Sequence, residues 1–167
     1  MPDHITYRGF TQSYTTSAIK LITPVSILPI ASRDKSLRGV PVSLEALWDT
    51  GAMKTCMRPE LRDRLKLQMY RIGSSVTMEG IGGKVKADFT IVLLFLTRNF
   101  GIEYCPVYVL DFPGSADIII GMDIIRLGDF VVCNADSKTS FSFAMPPFQD
   151  RINFADKAEA LNRQNRL

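Results

Sequence analysis

Along most of the chain, apolar and polar positions alternate at a period of two or gather into short apolar blocks. Both patterns predict β-strands. AIKLITPVSILPI, residues 18–30, is rich in β-branched residues. Pro24 and Pro29 interrupt it in the manner of an edge or a bulge. VSLEALW, residues 42–48, alternates loosely and stops at Asp49. FTIVLLFL (89–96), YCPVYVLDF (104–112) and ADIII (116–120) read as further strands. FVVCNA (130–135) and TSFSFAM (139–145) predict a closing pair around a polar turn at residues 136–138. VTMEGIGGKVKADF, residues 76–89, alternates on both sides of GIGG, whose glycines supply a tight turn. It predicts a mobile hairpin.

Helical signals are fewer. RPELRDRLKL, residues 58–67, places Pro59 near a helix start and basic residues near its end. MDIIRLG, residues 122–128, predicts one or two turns, opened by Asp123 as a cap and stopped by Gly128. From Asn153 onward, an N-cap followed by Asp156 in the first turn predicts a short amphipathic helix. The expected class is therefore mainly β with short helices. The expected organisation is an extension over residues 1–17, one domain over 18–147, and a tail over 148–167.

Composition narrows the function. With 46% hydrophobic and 22% charged residues in 167, the chain can bury one sizeable core. The net charge is +3 without a Lys/Arg block, so no nucleic-acid partner is expected. Cys56, Cys105 and Cys133 are far apart and include no CxxC pair, which argues against a disulfide framework or a metal site. His4 is the single histidine and sits near a terminus, leaving almost nothing from which to build a Ser-His-Asp or Cys-His system. The N-terminal stretch MPDHITYRGFTQ does not read as a secretory signal, and the apolar run 89–96 is too short to span a bilayer. A cytoplasmic protein with no membrane association and no cofactor is expected.

The segment LWDTGA, residues 47–52, runs an apolar strand straight into a carboxylate, a small hydroxyl and two small residues. Read alone, it is a turn. Read in order, it is followed by a short helix, the glycine hairpin, and an apolar strand ending in Ile119-Ile120-Gly121. A glycine at that strand end lets another backbone approach closely.

This ordered set resembles the retropepsin-like aspartic proteases, over about residues 18–145. DTGAMKTCM, EYCPVYVLD and IIIGMDIIRL are similar to segments of the DNA-damage-inducible shuttle proteins, and GMDI…LGDF is similar to bacterial members. The resemblance implies a closed, barrel-like fold with a flap hairpin. It implies an endopeptidase in which water is activated between two Asp49 carboxylates, one from each subunit of a homodimer, acting on a peptide or protein substrate. Only one Asp-Thr-Gly is present, and Asp117 and Asp123 read as a turn residue and a helix cap. In the family's pattern Thr50 bonds across the dimer axis, and Gly51 turns the backbone and offers its N–H. Ala52 completes the loop. Ile81, Gly82 and Gly83 form the flap tip, and Ile119, Ile120 and Gly121 support the loop from beneath. Met53, Lys54 and Met122 depart from the retroviral pattern, and Trp48 is bulkier than the usual aliphatic residue. Trp48 is expected in the core. The competing readings are a catalytically silent dimerisation or peptide-binding module on the same fold, and a chance motif in an unrelated β-barrel.

Overall fold

A computed structural model describes residues 5–30, 32–70, 76–80, 83–150 and 153–164, with the backbone alone over 76–80 and 83–86. In chain order its strands are β1 (Arg8–Ser13), β2 (Leu21–Leu28), β3 (Val42–Trp48), β4 (Cys56–Met57), β5 (Val76–Gly80), β6 (Gly83–Ala87), β7 (Phe89–Thr97), β8 (Phe100–Val109), β9 (Ile118–Ile120), β10 (Asp129–Ala135) and β11 (Lys138–Met145). The helices are α1 (Pro59–Arg64), α2 (Met122–Ile125) and α3 (Phe154–Gln164), with a 3-10 turn at Lys35–Leu37.

Six strands close into a barrel in the order β2-β3-β9-β4-β8-β7. The apolar block of β7 alternates in burial: Thr90, Val92, Leu94 and Leu96 are buried, and the residues between them are half-buried. Ile27, Ala46, Met57, Val107, Ile118 and Ile120 fill the interior with no exposed surface. Each large side chain buried in this way contributes about 1.5–3 kcal/mol. The ring closes between β2 and β7 through three residue pairs, Ser26–Leu28 with Phe95–Leu93.

A second sheet, β1-β11-β10, lies against the barrel. Asp136 (φ 50°) and Ser137 (φ 59°) form the two-residue connection between β10 and β11. Positive φ at both positions is the type I′ geometry, whose twist matches antiparallel strands. Phe141 and Phe143 of β11 are fully buried and meet Trp48 at ring distances of 5.0 and 5.1 Å. Phe10 and Phe130 complete the cluster at 5.8 and 6.0 Å. Trp48 is thus a core residue, as expected, and its indole N–H donates to Thr23 Oγ1 at 2.9 Å.

The stretch read as an N-terminal extension contains β1. β1 pairs with β11 along its whole length, from Arg8↔Met145 to Ser13↔Ser140, and inserts Phe10 into the core. RGFTQS carries a single large apolar residue, so its periodicity is nearly silent. His4 lies outside the described residues. The Val76–Phe89 hairpin appears as β5 paired with β6, from Val76↔Ala87 to Gly80↔Gly83. Asn153 caps α3 as expected, its Oδ1 accepting from Ala155 and Asp156 N–H groups at 3.0 and 3.3 Å. Every described residue of α3 is exposed, including Phe154 and Leu161. Among the described residues, no helix is long and apolar enough to cross a membrane.

The three thiols occupy different environments. Cys56 and Cys105 are buried, and burial, reinforced by the negative charge of Asp123, pushes both thiols up to about 12. Cys133 is exposed on β10. At pH 8 the two buried groups stay protonated and shielded, and the thiolate is the reactive form. A disulfide reagent at pH 8 should therefore titrate rapidly one thiol per native chain, and all three after denaturation. Rapid reaction of a second thiol in the native state would contradict this packing.

Candidate active site

β3 carries the chain through the barrel, with Leu44, Ala46 and Trp48 turned inward, and ends where Asp49 begins. Its parallel neighbour β9 sets Leu47 beside Ile119 and Trp48 beside Ile120. The pairing extends one residue further: Asp49 N–H donates to Ile120 O at 3.0 Å. The chain then turns. Ala52 N–H returns to Asp49 O at 3.2 Å, and Gly51 N–H donates to the Asp49 carboxylate at 2.8 Å. This is the turn that an Asp side chain favours, bonding a backbone N–H two residues on. Among the described residues, that is the carboxylate's one hydrogen bond. Asp49 and Ala52 are half-buried, and Thr50 and Gly51 are exposed.

The far side of the loop is fastened to the start of α2. Met122 N–H donates to Ala52 O at 2.7 Å. A Cβ on Gly121 would stand 2.6 Å from Lys54 C, 2.7 Å from Lys54 O and 2.8 Å from Ala52 O. All three are backbone atoms, so only glycine fits at this crossing. The close approach expected at Gly121 is therefore present.

One residue of the site differs from the sequence reading, and one was missed by it. Asp123 does not cap α2; Gly121 holds that position without a side-chain bond. The Asp123 carboxylate accepts Ile124 N–H at 3.1 Å within α2 and reaches back to the loop, accepting Thr55 N–H at 3.0 Å and Thr55 Oγ1–H at 2.8 Å. Gly121 N–H donates in turn to Thr55 Oγ1 at 3.2 Å. Thr55 is fully buried, so this lock satisfies polar groups that would otherwise be stranded. Thr55 escaped notice as an ordinary polar residue six positions past Asp49. Its signal was a hydroxyl directly before the apolar pair Cys56-Met57, where a buried strand begins. Asp117 stands in the bend before β9, and its carboxylate accepts Glu45 N–H at 2.9 Å, linking that bend to β3.

The remaining predicted residues are dispersed. Ile120 is buried beneath the loop, and Ile119 is half-buried between Leu47 and Cys56. Gly83 opens β6, opposite Gly80. Ile81 and Gly82 lie outside the described residues. Met53 projects beside the loop with 61% of its surface exposed, and the Lys54 ammonium lies 5.9 Å from the Tyr108 ring centre. Among the described residues, no group of three or more His, Cys, Asp or Glu side chains is placed to hold a metal ion.

A barrel strand delivering a lone Asp-Thr-Gly onto a glycine crossing defines an acid-protease loop. The profile of the aspartyl protease family matches residues 35–124, more than half of the chain and all of this loop; the chain belongs to that family. Among solved structures, it is similar to EIAV protease complexed with the inhibitor HBY-793, at 26% identity over 64% of this chain and 86% of that one, with a TM-score of 0.46. It is similar to a retropepsin-like aspartic protease from Rickettsia conorii at 12% identity, over 84% and 98% of the two chains, with a TM-score of 0.46. It is also similar to the retroviral protease-like domain of Ddi1 from Leishmania major at 18% identity, over 69% and 82%, with a TM-score of 0.42. No curated protein matches significantly.

The loop's fastenings lead to a stability prediction. Gly121→Ala forces the Ala52–Lys54 backbone to shift, and overpacking of this kind costs about 1–3 kcal/mol. Asp123→Ala strands the buried Thr55 N–H and hydroxyl, at about 1–3 kcal/mol for a lost partner. Calorimetry should show both variants melting several degrees below the wild type, by roughly 2–4 °C per kcal/mol for a chain of this size. An unchanged melting temperature in either variant would sink the lock.

Proposed function

We propose that the protein is an aspartic endopeptidase whose site is completed by a second copy of the chain. The observation that carries this reading is the Asp49 loop. Its main chain is fastened to Ile120 and Met122 on the inner side, and its carboxylate accepts Gly51 N–H, while Thr50 and Gly51 stand open on the outer side. One chain holds one such loop, so two-fold pairing would bring Asp49 to the axis twice. Thr50 would bond across that axis and Gly51 N–H would support the carboxylates. Residues 81–83 would close over the substrate as a lid and exclude water. Ile119, Ile120 and Gly121 would hold the loop from below.

The chemistry follows from two carboxyl groups sharing one proton. The ionised carboxylate takes a proton from the water between them, and the water oxygen attacks the peptide carbonyl carbon. The protonated partner gives its proton to the carbonyl oxygen, producing a gem-diol. As the diol collapses, a proton passes to the amide nitrogen, the C–N bond breaks, and a carboxylic acid and an amine leave. No further co-reactant is required.

Asp49→Asn keeps the side chain's size and leaves an oxygen for the Gly51 N–H, but cannot take the proton from water. It should reduce peptide cleavage by at least about 100-fold, the lower range of general-base effects, with folding and assembly retained. A well-folded Asp49→Asn protein that still cleaves at the wild-type rate would remove Asp49 from the mechanism.

Assembly makes a separate prediction. Specific activity should fall on dilution, with a midpoint at the dimer dissociation constant. Light scattering across the same series should show dimer giving way to monomer. A monomer with concentration-independent specific activity would rule out the shared site, and a dimer inactive on every peptide tested would favour the silent-module reading.

A further inference from the structure

A groove of about 750 Å³ lies away from the Asp49 loop, between β1 and the seam where β2 and β7 close the barrel. Phe10, Thr11 and Gln12 form its β1 side. Val25, Leu28, Pro41, Phe95 and Leu96 supply apolar surface opposite, and Arg98 stands at the rim. Its size falls in the range of ligand-binding clefts.

The hydrogen-bond phase of β1 shows which side of the strand is available. Tyr14 N–H donates to Thr139 O at 2.8 Å, in register with Gln12↔Phe141 and Phe10↔Phe143. Phe10 and Gln12 therefore direct their backbone groups to β11, and Gly9, Thr11 and Ser13 direct theirs outward. No described strand pairs with that outward edge. The β2 wall across the groove is closed to pairing. Tyr14 Oη–H occupies Ile22 O at 2.9 Å, Pro24 has no N–H, and Ser26 already pairs with Phe95.

Charge at the groove is one-sided. Arg98 is exposed and lines the groove, and Arg8, at the start of β1, donates to Asn99 O, so the two basic residues lie on neighbouring segments at the groove's border. No Asp or Glu stands among the described residues lining it. A strand added antiparallel to β1 ends its chain beside Arg8. We propose that this edge accepts an extended peptide antiparallel to β1, with its apolar side chains in the groove and its C-terminal carboxylate at Arg8 and Arg98. Sheet-edge addition of this kind draws affinity from backbone bonds and selectivity from the pockets beside them.

The test uses acetyl-Thr-Val-Thr-Val with a free carboxylate, titrated into the isotope-labelled full chain carrying Asp49→Asn, so that the peptide is not cut. Saturable amide shifts are expected at Gly9, Thr11 and Ser13. The C-terminal amide form should bind about tenfold more weakly through loss of the charge-assisted pair, and Arg98→Glu should do the same to the free acid. Thr11→Pro should abolish the shifts by removing one outward donor while leaving those of Phe10 and Gln12 in the ladder. Absence of binding, shifts confined to residues 49–52, or equal affinity for acid and amide would each overturn the proposal. So would slow exchange of the Gly9, Thr11 and Ser13 amides without peptide, since a second copy would then cover the edge.

Discussion

The Gly121 backbone crosses the Ala52–Lys54 backbone at a separation that excludes even a methyl group. Everything about the position of Asp49 depends on that crossing. The Asp49–Ile120 and Ala52–Met122 backbone bonds form on either side of it, and the Thr55–Asp123 lock closes behind it. The carboxylate is therefore placed almost entirely by main chain. Side chains on the loop's outer surface, such as Thr50 and Met53, are left free to face outward. A site held to within fractions of an ångström needs support from rigid elements rather than from its own loop. Here β3 and β9 provide it.

Trp48 extends that support into the terminal sheet. It is the last residue before the carboxylate, and four phenylalanine rings from β1, β10 and β11 pack within 6.0 Å of it. Aromatic pairs of this kind contribute about 0.5–1.5 kcal/mol each beyond area burial. Sequence-distant elements are thereby coupled to one position. Residues 8–13 and 138–145 hold the indole, the indole ends β3, and β3 presents Asp49. A change at Phe10, which looks peripheral in the sequence, reaches the Asp49 loop through one intervening side chain.

Much of this was legible because it is written in local chemistry. Loosely alternating runs marked β3 and β11, an apolar block marked β7, Pro59 marked the start of α1, and Asn153 marked the cap of α3. The turn at Asp136 and Ser137 announced itself as a polar break between two apolar runs. The elements that escaped draw their stability from elsewhere. β1 has one large apolar side chain and exists because β11 offers it an edge. β4 spans two residues, Cys56 and Met57, held between β8 and β9. The role of Asp123 was hidden because an acid in the first turn of a helix already has a sufficient local explanation. Only the fold brings it to Thr55, 68 positions away. Gly121 is the opposite case: its need for close approach was readable at a strand end, although its partner was not.

The treatment of strand edges separates the two halves of the molecule. A barrel has no edges when it is fully closed, but this one is joined between β2 and β7 by only three pairs. The unpaired remainder of β2 is guarded by Pro24, which cannot donate, and by the Tyr14 hydroxyl on Ile22 O. Among the described residues, the terminal sheet carries no such guard. β1 turns Gly9, Thr11 and Ser13 outward, and β10 has no described strand on its other side, with Val132 exposed there. Open edges are ordinarily costly because they invite uncontrolled pairing. A chain that protects one set of edges and leaves another open is suited to strand partners at the open ones. That division separates two tasks within the fold: the barrel fixes the Asp49 carboxylate, and the sheet beside it keeps backbone donors and acceptors at its edges.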